Sequence, residues 1–207
     1  MKYEINDVEL LSLNKVIPDS RGFFMEVFKE STWPEIKQSN VSFSKAGVVR
    51  GLHYQKGEHA QGKFVQVLHG RIIDVILDIR VGSPTFGKLI SIELTPGNGI
   101  VKIHPDLAHG FWAVEDSTVM YHCSKEWAPS FEGSINPMSE GLDIPWLHET
   151  NLIISDKDRQ GQTWRSYVEE TVTHSSGATT GRFSCKESSL SVDPRPGETN
   201  RCPGTEV

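Results

Sequence analysis

The sixteen residues "RGLHYQKGEHAQGKFV", Arg50 to Val65, carry more chemistry than packing explains: Arg50, His53, Glu58, His59 and Lys63 stand among glycines, ahead of an apolar run. His53 has three readings. It can hold a metal, take a proton, or fill a core. For a metal, His53, Glu58, His59 and His109 could supply nitrogen and oxygen ligands. Metal sites on barrel strands commonly pair two histidines at i and i+2. Here Tyr54 and Gln55 follow His53, and Lys63 would bring a cation that repels the ion. No metal is therefore expected. The core reading suits the other histidines, and His69, His104, His122, His148 and His174 are read as hydrogen-bonded filler or surface. It does not suit His53. A core cannot bury Arg50 and Lys63 beside it without partners. The group fits a polar cavity for an anionic or carbonyl-bearing ligand, and leaves Glu58 and His59 as loop residues.

Three further segments have the same character. "PDSRGFFMEVF" sets Arg21 and Glu26 among aromatics; it reads either as an edge strand after a turn at Asp19–Gly22, or as a phosphate-binding lip with Phe24 as a stacking platform. "NLIISDKDRQG" carries Asp156, Lys157, Asp158 and Arg159, which by charge pattern alone is a solvated face. Tyr121 in "STVMYHC" alternates with Val119 and Cys123. By periodicity it is a core tyrosine whose hydroxyl needs a partner.

These residues must be carried by strands. "KFVQVL", "IIDVILDI", "LISIEL", "IVKI" and "STVMYHC" are short runs rich in Ile, Val and Leu. In the third, Ile90, Ile92 and Leu94 face one way and Ser91 and Glu93 the other. Turn signals "HGR", "GSPTFG", "PGNG" and "EDS" separate them. The pattern predicts an all-β sandwich, jelly roll or barrel. No long stretch shows a helical apolar period. "STWPEIKQ" is the best short-helix candidate, capped by Ser31 or Thr32 with Pro34 in the first turn. One domain is expected over residues 1–168. Residues 169–207 turn rich in Ser, Thr, Gly and Pro with scattered apolar residues, which predicts a disordered or loosely attached tail.

Composition narrows the partners. Of 207 residues, 27 are acidic and 21 basic, for a formal net charge of −6, which argues against general nucleic-acid binding. Clustered Arg and Lys can still set a local potential for a small anion. No long apolar run or charged leader predicts a membrane span or a signal peptide. Three cysteines, Cys123, Cys185 and Cys202, make no disulfide framework and suit a reducing cytoplasm.

The segments "DSRGFFMEVF", "GVVRGLHYQ", "AQGKFVQV", "GSPTFGK", "AHGFWAV", "STVMYHCSKEWAP" and "LIISDKD" occur in the order seen in the deoxyhexose 3,5- and 3-epimerases. Over about residues 5 to 165 the chain resembles the dTDP-4-dehydrorhamnose 3,5-epimerase family. The resemblance implies a cupin-type jelly roll (a double-stranded β-helix) with short peripheral helices, a homodimer, no metal and no coenzyme. It implies that His53 is a general base oriented by Asp158, that Lys63 stabilises an enolate oxygen, and that Tyr121 is the acid on the opposite face of the sugar. It further implies that Arg21, Phe24, Glu26, Gln38 and Arg50 bind the nucleotide and its diphosphate, some across the dimer interface, with Asn40 and His109 as further site residues. The substrate would be a dTDP-linked 4-keto-6-deoxyhexose, epimerised at C3 and C5 toward dTDP-L-rhamnose or a related deoxysugar. The chain departs from the pattern at Trp127, where many relatives carry a tyrosine, so epimerisation at C3 alone is the nearest alternative. A metal-dependent cupin enzyme and a non-catalytic sugar-nucleotide binder are the alternatives of other classes.

Overall fold

The computed structural model describes residues 4–12 and 16–176, with side chains as far as Thr173. The apolar runs become strands in chain order: β1 (Val8–Leu11), β2 (Val16–Asp19), β3 (Gly22–Met25), β4 (Gln38–Ser44), β5 (Val48–Gln55), β6 (Lys63–His69), β7 (Ile72–Asp78), β8 (Leu89–Leu94), β9 (Ile100–Ile103), β10 (Leu107–Ala113), β11 (Ser117–Cys123), β12 (Glu132–Ser134) and β13 (Ile153–Ile154). Two helices follow, α1 (Asp156–Arg159) and α2 (Trp164–Ser176). One sheet runs β1-β9-β6-β11-β4; the other runs β12-β5-β10-β7-β8, with β13 added parallel to β5. Antiparallel strands in two facing sheets, with non-sequential neighbours, make the jelly roll expected from the sequence. Among the described residues no helix is long and apolar enough to cross a membrane.

The core lies between the sheets. Val65, Val67, Val101 and Val119 of one sheet meet Ile72, Ile76, Leu94 and Phe111 of the other. A second apolar layer covers the back of the β5-β10-β7 sheet, where Val75 and Leu77 pack with Ile135, Leu142, Ile144 and Trp146. β7 is thus buried on both faces, which is why "IIDVILDI" reads as a near-continuous apolar run rather than an alternation. Each such side chain contributes about 1.5–3 kcal/mol on burial. By contrast β8 is covered on one face, so Ile92 and Leu94 are buried and Ser91 and Glu93 exposed.

The "GSPTFG" loop between β7 and β8 is built on Asp78. This buried carboxylate accepts from Arg80 Nη2 (2.8 Å), Ser83 Oγ (2.7 Å) and Thr85 Oγ1 (2.6 Å). Burial alone would raise its pKa. The hydrogen bonds from Arg80, Thr85 and Ser83 outweigh that and hold the carboxyl well below the usual range.

Two local expectations are corrected. "STWPEIKQ" is a pair of turns, not a helix: Thr32 and Trp33 donate to Lys29 O, and Ile36 donates to Trp33 O. Pro34 disfavours helical torsions at Trp33, and Trp33 is drawn into a pocket with Phe64 and Ile100. The missed helix is α2. Among the described residues it presents Trp164 and Tyr167 to the core layer, where the Tyr167 hydroxyl donates to Ile79 O at 3.0 Å. Two apolar anchors are too few to set an apolar period. The boundary expected at residue 168 falls inside α2, and the remainder of the expected tail, 177–207, lies outside the described residues.

Candidate active site

The jelly roll leaves a cavity of about 430 Å³ between its sheets, lined by residues of both. Strand alternation supplies one wall. On β4, Gln38, Asn40, Ser42 and Ser44 share the inward face, while Ser39, Val41 and Phe43 point out. Tyr121 of β11 pairs with Asn40 on one side and Val65 on the other, and Lys63 opens β6 beside Cys123.

The facing wall is β5 and β10, and here the ladder is irregular. His53 lies opposite His109 and Arg50 opposite Phe111, so β5 spends three steps where β10 spends two. That bulge lets Arg50 and His53, an odd number of residues apart, both reach the cavity. Glycine makes it possible. Gly51 has φ +123°, and a Cβ there would lie 2.5 Å from Gly110 Cα.

His53 Nε2 is 2.7 Å from Asp158 Oδ1. Asp158 is buried on α1, whose Ser155 cap accepts the Asp158 amide at 3.1 Å, and its Oδ2 faces the Gly51 amide at 3.4 Å. Burial would raise the Asp158 pKa, but the His53 hydrogen bond and charge, with the Gly51 amide, hold it below the ordinary value. A carboxylate at Nε2 fixes the proton there and leaves Nδ1 as the basic nitrogen. Lys63 is half-buried with its ammonium 3.4 Å from His53 O; desolvation pushes its pKa down, against the pull of Cys123, Asp74 and Glu132. Tyr121 faces the cavity from the opposite sheet. Burial raises its pKa, Cys123 adds to that, and Arg50 opposes it. His109 repeats the His–carboxylate pattern, with Nε2 2.7 Å from Asp74 Oδ1; burial pushes its pKa down against the pull of Asp74.

The structure therefore gathers His53, Lys63, Tyr121, His109, Arg50 and Gln38 around one cavity, with Asp158 behind His53. Arg50 is braced by Ser44 Oγ (2.9 Å) and Phe43 O (3.1 Å). Asn40 stands one layer back, accepting from Gln38 Nε2 at 2.9 Å. Arg21, Phe24 and Glu26 are not brought there. They lie on or just beyond the β2–β3 hairpin, where Phe24 is 63% exposed, Arg21 pairs with Asp19 at 2.6 Å and Glu26 with Lys29 at 3.2 Å. Glu58 and His59 sit in a short turn away from the cavity, with the His59 ring against Phe131.

Asp74, Ser42, Gln61, Glu132 and Lys157 were not singled out as site residues, though Lys157 was noted in the charge run. All but Asp74 line the cavity, and Lys157 reaches Glu132 at 2.6 Å. Asp74 had a usable signal: a carboxylate in the middle of a run buried on both sides must have a partner. Trp127, 56% exposed, also lines the cavity, and its amide donates to Gln38 Oε1 at 2.8 Å. Among the described residues no three His, Cys, Asp or Glu side chains gather as a metal site.

A sequence profile described as dTDP-4-dehydrorhamnose 3,5-epimerase matches residues 2–166. The chain is 40% identical over 151 residues to the dTDP-4-dehydrorhamnose 3,5-epimerase of Mycolicibacterium smegmatis, covering 69% of this chain and 74% of that protein. It is 40% identical over 166 residues to the Neisseria gonorrhoeae enzyme of that name, covering 76% of this chain but half of that protein. Among solved structures, the dTDP-4-dehydrorhamnose 3,5-epimerase of Sulfolobus tokodaii superposes with a TM-score of 0.69 at 43% identity, covering 78% of this chain and 93% of that one. ChmJ, a 3'-monoepimerase from Streptomyces bikiniensis in complex with dTDP-quinovose, superposes with a TM-score of 0.74 at 28% identity, covering 82% and 89%.

Proposed function

The chain belongs to the dTDP-4-dehydrorhamnose 3,5-epimerase family, and from that premise we propose that it is a homodimeric, metal-independent epimerase of a dTDP-linked 4-keto-6-deoxyhexose, inverting C3 and C5. The observation that carries this reading is a base and an acid on opposite walls of one cavity: His53 with Asp158 on one sheet, Tyr121 on the other.

The chemistry follows from the ketone. A C4 carbonyl acidifies the hydrogens on C3 and C5, because the carbanion is an enolate. His53 Nδ1 takes the proton, and the C–H pair of electrons moves to the C4 oxygen. Asp158 stabilises the imidazolium and keeps the ring in its productive tautomer. Lys63 meets the enolate oxygen. Burial penalises its charge, and a developing negative charge beside it reverses that penalty, so it favours the transition state over the ground state. The Tyr121 hydroxyl then delivers a proton to the other face, its pKa already raised by burial toward that of an enol. The phenolate regains a proton from solvent and the imidazolium gives its own up. Arg50 recognises the diphosphate with a planar fork. His109, held through Nε2 by Asp74, offers its other ring nitrogen, Nδ1, as an acceptor beside the sugar.

The dimer accounts for what one chain leaves unused. β4 is an edge strand with Val41 and Phe43 exposed, and the β2–β3 hairpin carries Phe23 and Phe24 outward. A second copy would cover this apolar surface and bring Arg21, Phe24 and Glu26 to a cavity. A free buried Cys123 suits the cytoplasm.

A second reading, epimerisation at C3 only, is favoured by Trp127 at the rim, since an indole stacks on a sugar but donates no phenolic proton. Incubation with dTDP-4-keto-6-deoxyglucose in deuterated water, followed by NMR, separates the two. Label at both C3 and C5 is expected; label at C3 alone selects the second reading, and no label at either refutes epimerisation.

A further inference from the structure

The segment from Glu26 to Lys37 joins the exposed hairpin to β4 and lies over the outer face of the β6–β11 sheet, held by Trp33 on Phe64 and Ile100, by the Lys37 amide on Cys123 O at 2.8 Å, and by contact with one histidine. His122 projects from the face of β11 opposite Tyr121 and is fully buried. The rings of Phe28 and Trp33 flank it, with centroids 5.7 and 6.1 Å away, and Trp33 packs in turn on Phe64 at 5.1 Å. Nδ1 is 2.8 Å from Ser39 Oγ on β4. Nε2 is buried with no hydrogen-bond partner among the described residues. The imidazole therefore meets the sheet through Nδ1 and the segment through its ring, against Phe28 and Trp33.

We propose that His122 is a positioning residue whose neutral imidazole pins residues 26–37 to the sheet, setting the hairpin at one end and Gln38 at the other, and through them the affinity for the nucleotide sugar. The affinity part rests on the function proposed above; the pinning does not. Gln38 is the first residue after the segment. It lines the cavity and takes the Trp127 amide, so a displaced segment alters the cavity wall directly.

The ring is held neutral by its surroundings. The Ser39 hydroxyl can donate to Nδ1 or accept from it, so one bond satisfies the neutral ring at that nitrogen in either tautomer. In the segment, Glu26 and Lys29 pair with one another, and Glu30, Glu35 and Lys37 are its other charges. From the sheet, β4 offers Ser39, β6 offers Phe64, and Lys102 of β9 sits over the Phe64 ring at 5.5 Å. None of these forms an ion pair with His122 among the described residues. Burial pushes its pKa below the ordinary value, and the Val27 carbonyl opposes this. The sign follows: the imidazole binds a proton more readily when the segment lifts off. Docking is strongest above the ordinary histidine pKa of about 6.5 and weakens as pH falls below it, by at most tenfold for each unit by which docking lowers the pKa.

The test uses the full chain, as wild type, His122→Gln and His122→Ala. Hydrogen exchange of residues 26–37 is measured at about pH 7.5 and about pH 5.5, either side of the ordinary histidine pKa, after correction for intrinsic exchange. KM and kcat for the nucleotide sugar are measured at the same two values. The expected wild-type result is loss of protection in this segment and a several-fold rise in KM at the acid value. His122→Gln, which keeps a hydrogen-bonding side chain and cannot titrate, should lose both acid effects. His122→Ala should raise KM at both pH values with a smaller change in kcat. Acid loosening that persists in His122→Gln overturns the proposal, as does an unchanged KM in His122→Ala. An NMR titration of wild type decides the matter without variants: His122 titrating at or above the ordinary value refutes it. If the wild type does not turn over the nucleotide sugar, the function reading falls, and the exchange and titration arms still decide the pinning.

Discussion

Replacing Asp158 by Asn tests the base most specifically, because it changes a charge and a tautomer while nearly preserving shape. Asp158 Oδ1 lies 2.7 Å from His53 Nε2, and the carboxylate is buried with its other oxygen toward the Gly51 amide. A hydrogen bond to a charged group contributes about 1.5–3 kcal/mol. That interaction strengthens when His53 becomes an imidazolium, so its loss falls on the transition state. At 1.36 kcal/mol per factor of ten, the turnover number should drop roughly 10- to 150-fold. If the Asn amide turns its NH2 toward Nε2, the ring proton moves to Nδ1, the nitrogen proposed as the base, and the loss is larger still. KM should change little, since Asp158 lies behind His53 and does not line the cavity. The assay couples product formation to a 4-ketoreductase at saturating substrate, with circular dichroism to verify folding. A folded Asp158→Asn protein with turnover within about threefold of wild type, less than 1 kcal/mol, would refute the dyad. A large rise in KM at unchanged turnover would move Asp158 from catalysis to binding.

Three further outcomes are expected. Lys63→Met should lower kcat by about 10²–10³-fold, the usual cost of removing one donor to a developing oxyanion, with a smaller effect on dTDP affinity by calorimetry; equal losses in both would make Lys63 a binding residue. Asp78→Ala removes the buried partner of half-buried Arg80, which keeps Asp7 at 2.8 Å, and should cost about 1–3 kcal/mol, read as a lower melting temperature. Because the Asp78 pKa is lowered in the fold, its contribution is present above the ordinary carboxylate pKa and is lost as pH falls through the lowered value; the wild-type and Asp78→Ala melting temperatures should therefore converge only in strong acid. Phe43→Glu, on the exposed edge strand, should yield a monomer by light scattering with the sheet spectrum intact, and a dimer unchanged in mass would place the interface elsewhere.

How much of this was legible in the sequence depended on whether a residue acts alone or through a partner. Val65, Val67 and Val119 alternate on strands, so the sheets and the inward direction of Lys63 and Tyr121 could be read from period alone. His53 and Arg50 stand three apart, which no regular strand puts on one face; the β5 bulge and the Gly51–Gly110 contact that reconcile them depend on a second strand. By charge pattern alone Asp158 belongs to a solvated run, and only the family resemblance ties it to His53; α1 carries it under that ring, which stands more than a hundred residues earlier in the chain. Asp74 was visible as an anomaly but not as the partner of His109. The hairpin residues Arg21, Phe24 and Glu26 read as an edge strand or a phosphate-binding lip from their own types and as nucleotide binders through resemblance, and a single chain leaves them outside the cavity. The Trp33 turns and α2 were misjudged because a proline and two aromatic anchors decided them, not an apolar period.

The central claim is that proton removal and proton return occur on opposite faces of the sugar, by His53 and Tyr121. Tyr121→Phe separates the two steps. In deuterated water this variant should still exchange hydrogen next to the ketone through His53, while the recovered sugar keeps its original configuration, because the label can return only from the His53 side. NMR of recovered substrate reads label and configuration together. Exchange with retained configuration is the predicted result. Inversion at the wild-type rate, or loss of exchange together with inversion, would contradict the account.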